Sequence, residues 1–428
     1  MQSLNSQSAT EAAHVDACLR SGPLESKREL RVLLYSHDSW GLGHLRRSLG
    51  IARAVTGAFP KANVLLITGS PCATQFRVPE RVDVVKLPAV SKNGSGDYIS
   101  RSLSHSLTAV TELREKILLA AFRAFQPHVV LVDHQVVGMN GEALQMLVEA
   151  RQSGVRTIFG VRDVVDAPDL VNAAWDNEIC QWALNEAYDR ILVYGSPEIF
   201  DARREYRALM QLAERVEYTG YLVSSEVGRS LVPVPSLHAE VLVTVGGGED
   251  GRELLDTYLA ATDVARGNWR SVIVAGPMMD ATGVRNLKRR SRGRPDIDIR
   301  RFHADIPSLI QNADAVVSMA GYNSCAEILM VGRPAVLLPR TYPRQEQRIR
   351  AERLAERNLV ITQLNPTPTE LATAVQSALL TPEGSIGSRP PMNGLDYVCR
   401  VIKDLTQFPQ REAVLPKIRS LGRGQLVA

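Results

Sequence analysis

At 428 residues, with 45% hydrophobic and 22% charged side chains, the chain has the length of two or three globular domains, each able to bury its own core. A net charge of +4 and an aromatic share of 5% give no general basis for nucleic-acid binding, either by charge or by base stacking. Five scattered cysteines, Cys18, Cys72, Cys180, Cys325 and Cys399, never take the C-x-x-C spacing of a zinc or redox site, so a reducing cytoplasm is expected and no metal is. No run approaches the ~18 apolar residues that span a bilayer. The first 29 residues lack the apolar core of a signal peptide. The expectation is a soluble protein that at most rests on a membrane surface.

Residues 1–29 read as a polar tail. An apolar run at 30–36 enters the loop Asp38-Ser39-Trp40-Gly41-Leu42-Gly43, and helical spacing follows over 44–56. The same rhythm predicts strands at 63–68, 82–87, 128–132, 155–160 and 190–193, with a helix at 108–125. Buried runs alternating with amphipathic helices imply a parallel sheet covered on both faces. The pattern stops near Gly220, and Pro233-Val234-Pro235 marks a stiff linker, placed at 223–238. A second series follows, with strands at 239–245, 271–275, 297–302, 315–318 and 334–338 and helices at 252–262, 308–312, 324–331 and 347–358. Two α/β domains in tandem are expected, 30–222 and 239–392, then a segment 393–428 with one helix at 397–406.

Ligands of open parallel sheets bind beyond the carboxyl ends of the strands, and four loops there carry polar or glycine-rich residues. In Gly41-Leu42-Gly43-His44, glycines allow close backbone approach and a helix start offers free N–H groups. His44 at that start has the chemistry of a general base. Gly246-Gly247-Gly248 follows the first strand of the second domain and suits a phosphate. In Ala320-Gly321-Tyr322-Asn323-Ser324 with Glu327, the helix start suits a pyrophosphate and Glu327, one turn in, suits a ribose diol. The spacing Ser324-x-x-Glu327 also fits a capping box. The fourth loop, 339–347, ends in Glu346 and Gln347, side chains able to bond sugar hydroxyls.

Together these residues resemble the GT-B glycosyltransferases, most closely the MurG group, over roughly residues 30–380. The series Ala320-Gly321-Tyr322-Asn323-Ser324-x-x-Glu327, Gly332-Arg333-Pro334, Leu338-Pro339 and Glu346-Gln347 is similar to the family's donor-binding signature. The resemblance implies two Rossmann-like domains facing across a cleft, and transfer of a sugar, with inversion, from a nucleotide diphosphate donor, expected to be UDP-linked. It implies glycines at the diphosphate, Glu327 at the ribose, Glu346 and Gln347 at the sugar, and backbone of the segment around His303 at the base. It leaves the hydroxyl acceptor open: glycan, lipid-linked sugar or small molecule. A cytoplasmic enzyme is expected, with contact at the inner membrane face left open. This chain departs from the pattern at Met319, where relatives place a phosphate-binding histidine, and in its short first glycine loop.

Gly41-x-Gly43-His44-x-x-Arg47 and Val132-Asp133-His134 also resemble PseG, a hydrolase of a nucleotide-linked amino sugar, in which His44 would activate water. A non-catalytic nucleotide-sugar binding protein is the third alternative. In the enzyme readings His44 is the base and Asp133 orients His44 or His134; Asp133, His134, Arg162 and Asp163 equally suit salt-bridged structural roles. Gly41, Gly43, Arg47, His134, Arg162 and Asp163 form the acceptor side. Asp296-Ile297-Asp298 reads as ion-paired surface, not a metal motif. The basic run from Arg285 to Arg294 suits anionic lipid headgroups or phosphate and, more commonly, a solvated face; Trp175 and Trp182 read as one packed helix face, and Cys325 as a small buried residue.

Overall fold

The computed structural model describes residues 29–37, 42–92, 98–224, 239–382 and 387–407. Gly41, all of the expected tail but Glu29, linker residues 225–238 and the end of the chain from 408 lie outside the described residues. The first domain contains β1 (Leu30–Ser36), β2 (Ala62–Thr68), β3 (Val82–Lys86), β4 (Val90–Lys92), β5 (Tyr98–Ser100), β6 (Val129–Asp133), β7 (Arg156–Arg162), β8 (Arg190–Tyr194) and β9 (Val216–Tyr218). Seven of these form a parallel sheet in the order β3-β2-β1-β6-β7-β8-β9, while β4 and β5 pair as a small antiparallel hairpin.

The second domain contains β10 (Glu240–Thr244), β11 (Arg270–Val274), β12 (Ile297–Arg300), β13 (Ala315–Ser318), β14 (Ala335–Leu337) and β15 (Ile361–Thr362), parallel throughout in the order β12-β11-β10-β13-β14-β15. Both sheets reverse direction of growth at one point, between β1 and β6 and between β10 and β13. Chain crossovers there leave to opposite sides, which opens a crevice at the strand ends. The architecture is the expected pair of Rossmann-like parallel-sheet domains.

The strands form because their side chains alternate between two apolar layers. Leu33, Tyr35, Val130 and Val132 face one layer, and Val32, Leu34, Val129 and Leu131 face the other. The second layer continues through Tyr221 and Leu222 to Tyr322 and Ile328 of the second domain, so one apolar cluster joins the domains. Val223, placed in the linker from sequence, is buried in that cluster.

Helix α1 (Gly43–Ala58) follows β1, α2 (Leu107–Phe125) precedes β6, α3 (Tyr322–Val331) follows β13, α4 (Glu346–Glu356) follows β14, and α5 (Gly394–Gln407) ends the described chain. α5 returns to the first domain and packs on α1 through the cluster containing Val398, Val401, Ile402 and Leu405. Trp175 and Trp182 do not share a helix, as their spacing suggested. One ends Pro168–Trp175 and the other ends Glu178–Trp182, because Asp176 and Asn177 break the run and Asn177 caps the second piece.

Candidate active site

Ser36 and Asp133 end the neighbouring strands β1 and β6 side by side, so the loops that follow them face each other. Fully buried Asp133 accepts from Arg47 through Nε (3.0 Å) and Nη2 (2.6 Å), and from His44 Nδ1 at 2.6 Å. With the Nδ1 proton assigned to the carboxylate, His44 Nε2 is left as an acceptor of protons. Burial by itself would raise the Asp133 carboxyl, but the Arg47 guanidinium and His44 outweigh it and hold the carboxyl far below its usual range. Burial, reinforced by Arg47, lowers His44 to about 4, so its ring is neutral at pH 7. A neutral imidazole fixed by a buried carboxylate is the arrangement of an oriented general base.

His134 follows Asp133 directly with φ +70°, a strained setting for a residue with a Cβ. Its ring lies 4.9 Å from that of His44, and Arg162 Nη2 is 3.3 Å from its Nε2. His37, which sequence reasoning missed, places its ring 4.8 Å from His44 and 5.8 Å from His134. Its position at the end of β1, at the sheet's reversal, was the available signal. Burial lowers both His37 and His134. Among the described residues no three His, Cys, Asp or Glu side chains are placed to hold a metal ion.

Across the cleft lie the loops of the second domain. Gly246 (φ +63°) and Gly248 (φ +94°) turn the chain after β10, and a Cβ on Gly248 would come within 2.2 Å of the Ala275 carbonyl oxygen. Only glycine meets both demands there. Gly248→Ala should therefore cost roughly 2–5 kcal/mol from backbone strain and overpacking, read as a lower urea midpoint. An unchanged midpoint would show that the loop relaxes freely.

The cleft is lined by Gly43, His44, Arg46, Arg47, Arg162, Gly246, Gly247, Gly248, His303, Gly321, Asn323, Ser324, Glu346 and Gln347, among others. Helix α3 starts after Gly321 with no side-chain cap and no acidic residue in its first turn, and α1 is equally bare at its start. The Ser324-x-x-Glu327 capping box does not form. Asn323 instead donates from Nδ2 to the Gly43 carbonyl of α1 (2.9 Å), and Glu327 pairs through Oε1 with Arg46 of α1. Burial raises the Glu327 carboxyl despite that partner, and its Oε2 is buried without one.

Glu346 and Gln347 start α4 and do not sit in a free loop. Glu346 pairs with Arg340 (2.8 Å), itself held by Asp250 (2.5 Å), and Gln347 Oε1 accepts from the Arg340 backbone N–H (3.0 Å). His303 lies at the cleft edge, its Nδ1 tied to the backbone of Asp305, which caps Ile306–Asn312.

Asp163 does not face the cleft as expected from its place after β7. It is fully buried and bound by Arg350 of α4 through Nη2–Oδ1 (2.6 Å) and Nε–Oδ2 (2.8 Å), with Tyr221 Oη donating to Oδ2 (3.1 Å). It fastens the two domains. Arg350 also donates to the Ala320 carbonyl (2.9 Å), bracing the glycine turn before α3. No periodicity marks such a pair, since its members are 187 residues apart. Asp296 and Asp298 are ion-paired with Arg294 and Arg300, as read from sequence. Cys325 is buried, and burial pushes its thiol up to about 12, away from nucleophilic use.

Residues 241–386 match the family described as Glycosyltransferase family 28 C-terminal domain. A UDP-N-acetylglucosamine--N-acetylmuramyl-(pentapeptide) pyrophosphoryl-undecaprenol N-acetylglucosamine transferase of Acidothermus cellulolyticus is 27% identical over 322 residues, covering 73% of this chain and 79% of the relative. The chain is thus similar to MurG-type glycosyltransferases and shares their GT-B fold. Among solved structures, Acinetobacter baumannii MurG aligns with TM-score 0.55 and 12% identity over 88% of this chain and 100% of that one. A putative UDP-N-acetylglucosamine 2-epimerase from Listeria monocytogenes aligns with TM-score 0.59 and 10% identity over 89% and 97%. Identities this low speak for the shared fold alone. Among the described residues no helix is long and apolar enough to cross a membrane.

Proposed function

We propose that the chain transfers a sugar, with inversion, from a UDP-linked donor bound on the second domain to a hydroxyl acceptor bound on the first. The observation that carries this reading is the His44–Asp133 pair, which stands across the cleft from the glycine turn 246–248 and the uncapped start of α3. His44 Nε2 takes the acceptor's hydroxyl proton as the oxygen attacks the anomeric carbon. The bond from that carbon to the β-phosphate oxygen breaks on the opposite face, and the departing diphosphate carries away the electron pair. Backbone N–H groups of Gly246, Gly247, Gly248 and the α3 start meet its growing charge.

In this reading Glu327 holds the ribose, Glu346 and Gln347 the sugar, and Gly321, Asn323, Ser324 and the backbone near His303 the rest of the nucleotide. Gly43, His134 and Arg162 flank the acceptor, while Arg47 and Asp163 support the framework. The relatives are named for a lipid-linked acceptor, which supports a lipid-linked sugar as acceptor here and a cytoplasmic enzyme working at the inner membrane face.

The test is an NMR time course of UDP-, TDP- and GDP-sugars with the protein, without acceptor, repeated with Glu327→Ala. One donor should bind without turnover, and Glu327→Ala should weaken it about 10–100-fold, the worth of a charge-assisted hydrogen bond. No binding by any donor would overturn the reading. Hydrolysis at an enzyme-like rate, about 1 per second or faster, would replace transfer to an acceptor with transfer to water.

A further inference from the structure

The ion pair between Arg46 and Glu327 joins the two sides of the cleft. Arg46 projects from the first turn of α1, on the first domain, and lines the cleft beside Gly246–Gly248 and Gly321–Ser324. Glu327 lies on α3 in the second domain, buried, with Oε1 on Arg46 and Oε2 without a partner. The carboxylate that would hold a ribose diol is therefore covered by a guanidinium from the opposite domain.

The other guanidiniums of the cleft have different commitments. Arg47 is bound to Asp133, Arg350 to Asp163, and Arg340 to both Asp250 and Glu346. Arg162 stands against His134 on the first domain's side. Arg46 differs because its carboxylate is the group that a nucleotide would claim. Ribose hydroxyls on Glu327 would leave a guanidinium free beside two uncapped helix starts. At Met319, directly before Ala320 and Gly321, the second domain offers an apolar side chain and no cation. A diphosphate at the α3 start then supplies the anion that a displaced guanidinium needs.

We propose that Arg46 is a ligand of the donor diphosphate and is exchanged onto it from Glu327 when the ribose binds. The inference rests on the nucleotide-sugar reading above and adds the first domain's cation to that site. In the empty protein Arg46 competes with the nucleoside, and in the complex it rewards the phosphates. The exchange thus favours ligands that carry both parts over a bare nucleoside.

The test is calorimetric titration of the full chain and of Arg46→Ala and Arg46→Lys with uridine, UMP and UDP. Thymidine and guanosine series take their place if those bases are the ones that bind. Arg46→Ala should bind uridine as tightly as the native chain or more tightly, and UDP at least tenfold more weakly. Arg46→Lys should recover most of the diphosphate's contribution. Equal weakening of uridine and UDP, or unchanged UDP affinity, would overturn the exchange and leave the nucleotide reading intact. Native protein that binds no nucleoside diphosphate, or Glu327→Ala that binds UDP as well as the native chain, would overturn the nucleotide reading and the exchange with it.

Discussion

Replacing His44 with alanine should lower turnover by about 10²–10⁴-fold, the usual worth of a positioned general base, and spare donor affinity. The ring is fixed by Asp133 at 2.6 Å and lines the cleft, and the donor contacts other than Arg46 lie on the other domain. The pH profile gives an independent check. Only neutral imidazole accepts a proton, and burial together with Arg47 lowers His44 to about 4. Turnover should therefore stay level from neutral pH down to about 5 and fall as pH drops through about 4. An ordinary histidine would lose activity near 6.5. Retained turnover in the alanine variant would retire His44 as the base. An acid limb near 6.5 would show that bound substrates relieve the effect of burial.

The second large effect is on stability. Asp163→Ala should destabilise the protein by about 3–5 kcal/mol, because it leaves the fully buried Arg350 guanidinium without its carboxylate. Both side chains are fully buried, with a two-pronged contact at 2.6 and 2.8 Å. The paired replacement Asp163→Leu with Arg350→Met removes both charges and should recover most of that loss. A double variant no better than Asp163→Ala would mean that the loss comes from Tyr221 and Ala320, which share the network. Denaturant midpoints, followed separately by probes in each domain, would distinguish these outcomes.

The sheets were legible because each strand carries its own evidence. Val129–Asp133 is apolar up to Asp133 and buried throughout, and β13 is apolar up to Ser318 and likewise buried. β9 and β15 escaped notice, at three and two residues, since runs this short hold no period. The His44–Asp133 partnership was readable from one residue at a strand end and one at the helix start after another strand, where the topology sends loops together. Contacts between the domains were not readable. Arg46 with Glu327 and Arg350 with Asp163 are set by how two separately folded units dock, and nothing local distinguishes those arginines from solvated ones. Glu327 shows the limit most clearly. Its place on α3 followed from the motif, and its partner on α1, 281 residues away, did not.

The chain passes between the domains twice, first after β9 and again before α5. The two passages are bonded to each other, Tyr221 N–H to the Pro391 carbonyl (2.9 Å) and Gly394 N–H to the Tyr221 carbonyl (3.1 Å). Gly220 has φ +79°, and a Cβ there would come within 2.6 Å of the Pro391 oxygen, so the two backbones can lie this close only at a glycine. A single tether would let one domain swivel freely on the other. Two parallel tethers act like the paired pins of a door: a twist shears their hydrogen bonds, and a swing about the line through them does not. Resistance to twist keeps the rims carrying Arg46 and Glu327 in one register.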